Sequence, residues 1–404
     1  MRAFAGGYYS NLQAMYDHLN VSYHSQPFLF EFAKVTRLNK EETPYDDSPY
    51  FIHSSNNHIF PPIRPSTMSI LEHIVEMMYL LLCYAWYTVC CLLVSPRHSR
   101  DGRLCETYME YLERLRLPRY FVDCYLLPLM SAVTTCSHQA VLRFPAKDLI
   151  EYKKKTHNQP HFTVSKGVRE VQEKLAVGLN VQLRSRVYEV ANYGADIRVR
   201  WIESENNKKE TKERIFDHVI FAVPPNVVGS LFAPLSSMMA RIPTIQVRSI
   251  VTKRPNLKER RRLHQIQSIS SKSQKIRLVN WFEGEGWTQS DHEQTSGLIV
   301  TTCPLKDPTQ ANELHSATFT RVLRTPESRD IVNTIFDCRK SASLASKTWM
   351  SGDGGIWLVG GWCWDGMVLL EGCVSSAMKV ADSLEVDIPW SDRVVVNAHI
   401  NNRI

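Results

Sequence analysis

One segment near the C-terminus, Ile356 to Ala381 (IWLVGGWCWDGMVLLEGCVSSAMKVA), restricts the fold more than any other part of the chain. An apolar run of β character, Ile356-Trp357-Leu358-Val359, meets Gly360-Gly361. After a short loop, Leu370-Glu371-Gly372-Cys373 opens a helix with Ser375, Ser376 and Ala377 along one side. Glycines let backbone approach a ligand closely, and the free N–H groups at the positive end of a helix favour negative charge. Gly360, Gly361, Leu370, Glu371, Gly372 and Cys373 are therefore the first candidates for holding an anionic or electron-rich group. An ordinary β-α unit with a glycine turn has the same periodicity.

A second segment, Asn180 to Pro225, alternates apolar and polar residues at Val181, Leu183, Val187 and Val190, and again at Ile197, Val199 and Trp201. That pattern predicts half-buried strands joined through a charged tip, ESENNKKETKE. Val219 to Val223 is apolar throughout and predicts a strand covered on both faces, ended by Pro224-Pro225. Upstream, Val164-Ser165-Lys166-Gly167-Val168 leads into the helical stretch REVQEKLA.

These segments, in this order, resemble the FAD/NAD(P)-binding, amine-oxidase-like flavoproteins. Tyr9-Ser10-Asn11-Leu12 with Asp17-His18-Leu19-Asn20-Val21 resembles a helix motif of that family. Tyr125-Leu126-Leu127-Pro128-Leu129, Phe144-Pro145-Ala146 and Gln159-Pro160-His161-Phe162 resemble three further marks, Phe162 replacing a tryptophan. Gly366 to Ala377 has the form associated with fungal members. The resemblance covers most of residues 8 to 390 and is thin between Pro234 and Thr302. It implies an α/β, two-domain FAD-linked oxidoreductase of glutathione-reductase or amine-oxidase type, Rossmann-like in its cofactor part. It places non-covalent FAD against Val187, against Ala222 and Pro224, and against the glycine pair and helix start. There the helix start would support the charge that develops on the reduced ring.

Family members begin with a β-α-β unit whose G-x-G-x-x-G turn holds the pyrophosphate. No such motif occurs among these 404 residues, and Gly6-Gly7 has no preceding strand. The expectation is a fold whose first βαβ unit is missing, with FAD affinity reduced accordingly. A truncated gene model is the preferred explanation, ahead of a weakened cofactor site or a degenerate relative kept for another purpose.

At 44% hydrophobic and 22% charged residues, the chain can bury a large core and has an ordinary enzyme composition. The net charge of +7 comes largely from Lys253 to Arg262, a run without the interleaved aromatics of a nucleic-acid surface; a solvated face is the expectation. Ten cysteines show no Cys-x-x-Cys pair and no zinc spacing, which fits reduced thiols, no metal and an intracellular setting. The opening residues do not read as a secretory leader. Met77 to Val94 carries no formal charge over eighteen residues, flanked by Glu72, Glu76, Arg97, His98 and Arg100. It predicts a buried helix, or one resting on a membrane to collect a lipophilic substrate, ahead of a true span. The connector Phe60 to Pro65 sets it apart.

The chain divides into 1–60 (leading helix and substrate-domain strands), 61–158 (helical cap), 159–232 (FAD-associated strands), 233–345 (substrate domain) and 346–390 (C-terminal FAD segment). Cofactor and substrate pieces thus interleave. Flavin chemistry predicts hydride removal from a C–H bond of a small or lipophilic organic substrate, with a role in fungal secondary metabolism suggested by the family form alone. Trp281, Trp362 and Trp364 are candidates for an aromatic wall around that substrate, although aromatic residues near strands are more often core. Glu371 reads as a cap for its own helix, ahead of a hydrogen-bond partner near the cofactor, and no catalytic base stands out. The other reading is an inert relative that binds a partner or membrane through its helical unit.

Overall fold

The structure, a computed structural model, describes residues 3–35, 47–54, 62–65, 68–99, 104–205, 208–253, 274–294, 296–306, 313–336 and 349–391. The basic run after Lys253, the hairpin-tip residues 206–207, Phe60-Pro61 and Arg100 lie outside them.

The chain opens with β1 (Ala3–Ala5), α1 (Ser10–His18), β2 (Tyr23–Ser25), β3 (Phe28–Val35) and β4 (Asp47–Ser54). A helical stretch follows: α2 (Ile70–Leu93), α3 (Tyr108–Arg114), α4 (Leu127–Thr134), α5 (His138–Leu142) and α6 (Ala146–Thr156). Next come β5 (His161–Val164), α7 (Val168–Ala176), β6 (Ser185–Tyr193), β7 (Asp196–Glu205), β8 (Lys208–Phe216), β9 (Val219–Phe221) and α8 (Pro225–Leu231). The strands β10 (Thr244–Lys253), β11 (Gln274–Trp281), β12 (Trp287–Glu293), β13 (Leu298–Thr302) and β14 (Glu313–Val322) precede α9 (Pro326–Phe336), β15 (Ile356–Leu358) and α10 (Leu370–Ser383).

A seven-stranded sheet in the order β14-β10-β13-β12-β11-β3-β4 forms the largest layer. Its pairs are antiparallel except β3 with β11. That parallel seam buries a carboxylate: Glu31 is 2% exposed and meets Lys275 and Arg277 of β11, each at 2.9 Å. A buried charge persists only when paired, so the seam is specified by charge as well as by apolar pattern.

Proline shapes the helical layer. Pro145 stands at the N-cap of α6, and Pro128 sits in the first turn of α4, where a missing N–H costs least. These prolines start helices rather than break them, as do the residues after Pro118. Because Pro128 has no N–H, the Cys124 carbonyl four residues earlier loses its helical donor. The turn between them widens to a π-helix over Val122–Leu126, and the Tyr50 hydroxyl of β4 donates to the Cys124 oxygen at 2.6 Å. The helical layer is thereby tied to the edge of the large sheet.

Two apolar cores result. The larger is aromatic, with Tyr9, Phe32, Tyr108, Tyr111, Phe121 and Tyr125 fully buried. The second gathers Ile197, Phe221, Phe232, Ile356, Leu358 and Trp362 around β9, β15 and α8.

Four sequence expectations need correcting here. A strand does precede Gly6-Gly7: β1, Ala3–Ala5, pairs antiparallel with β5. The strand predicted over Val219 to Val223 is only Val219–Phe221, paired in parallel with β15 in a two-stranded sheet. One face stays open, with Ile220 49% exposed, because no described layer packs over it. Val181 and Leu183 precede β6 and are exposed; the left-handed backbone at Arg184 separates them from the strand.

Between the helices and the C-terminal loop lies a buried charge cluster. Asp148 of α6 is 1% exposed and stands 3.1 Å from Arg329 Nε and 3.9 Å from Arg324 Nε. Arg329 also pairs with Asp365. Burial pushes the Asp148 carboxyl up to about 6, against the pull of the two arginines. Replacing Arg324 with Met leaves Asp148 short of a counter-charge and should lower unfolding free energy by about 3–5 kcal/mol. Urea denaturation checks this, with Arg169→Ala, at an exposed side chain in a solvated i,i+4 pair, expected to leave the midpoint nearly unmoved.

Candidate functional site

A cavity of about 1760 Å³ opens between the large sheet and the β9–β15 pair. One wall is the C-terminal segment. Val359 N–H donates to the Phe221 carbonyl at 2.9 Å, extending the β9–β15 pairing to the glycines. Gly360 has φ of +144°, a conformation that L side chains rarely adopt. Its N–H donates to Ser376 Oγ at 2.9 Å, which anchors the turn to α10. At Gly361 a Cβ would lie 3.0 Å from the Leu369 carbonyl, so glycine permits the strand end and helix start to touch.

The tryptophans organise this wall by hydrogen bonds. Trp362 Nε1 donates to the Val223 carbonyl at 3.1 Å, joining the glycine loop to the end of β9. Trp364 Nε1 donates to the Met367 carbonyl at 2.8 Å, and a Cβ on Gly372 would come within 2.3 Å of the same nitrogen. Arg324 Nη2 donates to the carbonyls of Trp362, Trp364 and Gly366 at 3.1, 2.9 and 3.1 Å. One buried guanidinium thus folds the whole loop. Sequence reading missed Arg324, because nothing in its neighbourhood marks it.

Of the predicted site residues, Ala222, Pro224, Gly360, Gly361, Trp362, Leu370 and Cys373 line the cavity. Glu371, Gly372, Trp364, Trp281 and Val187 are not among its lining residues. Val187 instead packs against the second core, beside a bulge in β6. Trp281 closes the β11–β12 ladder opposite Trp287, and Trp364 packs edge-on to Tyr8 in the aromatic core.

Glu371 caps a helix other than its own. Its carboxylate accepts from the N–H groups of Asn11 and Leu12, each at 3.0 Å, and from Asn11 Nδ2 at 2.8 Å. α1 has no side-chain cap from its own N-cap residue, so Glu371 supplies one from the far end of the chain. Burial raises its pKa, and the bonds from Asn11 and Leu12 oppose that shift.

With Glu371 directed away, α10 begins without a side-chain cap, and Leu369, Leu370 and Cys373 of its start line the cavity. A second uncapped start opens onto the same space: α7, preceded by Gly167 at φ +85°, with Gly167 and Val168 on the wall. Unsatisfied N–H groups and aligned dipoles give both ends positive character. From the large sheet Arg321 also lines the cavity, its Nε donating to the Thr134 carbonyl at 2.8 Å. Burial pushes its pKa down, and its strongest electrostatic neighbours are Cys136, Tyr9, Cys303 and Cys373. Those neighbours are neutral at pH 7, burial raising all four above their ordinary values. The cavity therefore combines two helix starts and a guanidinium, a setting that favours a ligand carrying negative charge.

Fold and site together define a mixed α/β protein with a cavity of cofactor size. Residues 15–304 match the model of the flavin containing amine oxidoreductase family, and the chain belongs to that family. Among solved structures it is similar to a CLA-producing fatty acid isomerase from P. acnes, at 9% identity and a TM-score of 0.54 over 95% of this chain and 86% of that one. It is similar to cyclohexylamine oxidase from Brevibacterium oxydans IH-35A at 10% identity and a TM-score of 0.52, over 95% and 87%. At such identities the likeness is one of fold. No curated protein matches the chain. The family implies a flavin, and the two uncapped helix starts and Arg321 fit a cofactor with an anionic end and an electron-rich ring.

Two expected outcomes follow from these side chains. Glu371→Ala leaves the buried N–H of Leu12 and the half-buried N–H of Asn11 without an acceptor and should cost about 2–4 kcal/mol, while Glu371→Gln, which keeps an acceptor oxygen, should cost less; chemical denaturation separates them. On the cavity wall, burial lowers His292 from 6.5 to about 4. The unfolded chain then binds more protons than the native one between those values, so this group's contribution is whole above about 6.5 and declines as pH falls towards 4. Asp148 and Glu371 act in the opposite sense, so the check is the difference between wild type and His292→Gln. The variant should lose less stability on going from pH 7 to pH 4.5, and equal losses would refute the assignment.

Proposed function

We propose that this chain is an FAD-dependent oxidoreductase of amine-oxidase type, acting on a small or lipophilic organic substrate. The observation that carries the reading is the convergence of α7, α10 and Arg321 on one cavity. A bound flavin would supply the redox chemistry, acceptance of hydride from a substrate C–H bond. The chain's own residues supply field and shape. The helix start at Leu370 to Cys373, with its carboxylate turned away, stabilises negative charge on an electron-rich ring edge. Gly360 and Gly361 keep the wall flat, and Trp362, held by the Val223 carbonyl, keeps it rigid. Gly167 and the start of α7 suit a phosphate. His292, neutral and bonded to Ser290 Oγ at 2.9 Å, is the uncharged polar group on the sheet wall nearest to acid-base work in kind.

The purified chain incubated with FAD should retain the two visible absorption bands of oxidised flavin after desalting. A protein that stays colourless would remove this reading. Arg321→Gln should weaken FAD binding by about tenfold, measured by quenching of flavin fluorescence. An unchanged affinity would take Arg321 out of the site.

A further inference from the structure

Away from the cavity, the described residues leave one long apolar surface uncovered, and it belongs to a single helix. α2 is 24 residues long, about 36 Å at 1.5 Å per residue. Leu80, Cys83, Tyr87, Cys90 and Cys91 are buried on one side. On the other, Leu71, Ile74, Met78, Leu82, Trp86 and Leu93 follow one another at helical spacing, between 53% and 79% exposed. No charged residue interrupts the run from Met77 to Val94. A contiguous exposed ridge of this length marks an interaction surface.

By length and composition α2 could cross a membrane. Its inner face argues otherwise. The Tyr87 and Tyr108 hydroxyls bond at 2.8 Å, and Tyr111 donates to the carbonyls of Cys90 and Val94 at 3.1 and 3.0 Å. Glu76 accepts from Tyr120 and Tyr125. A crossing helix would have to abandon all of these bonds to the globular body.

The rim of the ridge identifies the occupant. Trp86 Nε1 donates to the Leu115 carbonyl at 3.1 Å, which brings the loop carrying Arg116 and Arg119 alongside. Arg119 has 91% of its side chain exposed. Arg64 precedes the helix, and Arg97 and His98 follow it, all exposed. Among nearby carboxylates, Glu76 is held by tyrosines, Glu106 by Arg114, Glu72 by the capping box at Ser69 and Glu110 by that at Thr107; Asp123 faces Arg119 at 3.4 Å in a solvated pair, and Glu113 is exposed. Trp86 and Tyr120 are amphipathic rings of the kind that settle at headgroup depth. An apolar ridge edged by cations and such rings matches an anionic lipid surface.

We propose that α2 lies in the plane of an anionic bilayer with its Leu71–Leu93 ridge in the acyl boundary, the rest of the protein remaining in water. This stands whether or not the chain binds flavin. The test is flotation of the full chain with vesicles of phosphatidylcholine alone or with added phosphatidylserine. Wild type should float, and more so with phosphatidylserine. The combined variant Leu71→Gln, Ile74→Gln, Leu82→Gln should bind at least about tenfold more weakly while keeping its far-ultraviolet circular dichroism. Arg116→Glu with Arg119→Glu should lose the preference for phosphatidylserine. Brominated lipid should quench a component of tryptophan emission that Trp86→Phe removes. A folded wild type that stays at the bottom of the gradient, or a ridge variant that floats like wild type, overturns the proposal. So does resistance to alkaline carbonate, the mark of a span. A soluble dimer dispersed by the ridge substitutions, without vesicle binding, would identify a second copy as the occupant instead.

Discussion

The guanidinium of Arg324 is the fixed point around which the cavity wall is built. It is 2% exposed, and it holds three carbonyls of the Trp362 to Gly366 loop while facing Asp148 on α6. Without it, three peptide oxygens and a carboxylate would be buried with weakened partners, and the loop between the glycine pair and α10 would have no reason to keep its shape. The direction of the α10 start, and hence the field inside the cavity, follows from that loop. A charge far from any reacting atom therefore governs the electrostatics of the site.

Much of this field is made by withholding caps. Helix starts in proteins are usually satisfied by a side chain of their own. Here the one carboxylate in the first turn of α10, Glu371, is spent on α1, and Gly167 offers α7 no side chain at all. The donors left over face the same space as Arg321. Family membership gives that arrangement its chemical meaning, since a flavin presents negative charge and an electron-rich ring edge to whatever lines its site.

The sequence made some of this legible and hid the rest for physical reasons. The strand–glycine–helix order at Ile356 to Ala381 could be read because glycine and helix-start signals are local, and so could Ala222 and Pro224 at the end of an apolar strand. Val187 lies off the cavity lining because a bulge and the second core decide where β6 faces, and neither is written in a two-residue alternation. Trp281 and Trp364 went into ladder and core, where large aromatic rings gain most from burial. Glu371 was placed on the right helix but given the wrong partner, since its acceptors' partners lie 359 and 360 positions away. Arg324 and Arg321 carried no local signature. Long-range pairing is where reading along the chain gives out.

The tie between Glu371 and α1 also orders events during synthesis. The N–H groups of Asn11 and Leu12 leave the ribosome early, but the carboxylate that satisfies them is translated hundreds of codons later. Until then α1 is a nine-residue segment with a frayed first turn, too short to hold its conformation alone. Its docking must wait for the closing helix, so the nascent chain carries α1 without its cap while the intervening residues are made, the interval in which chaperones would find it.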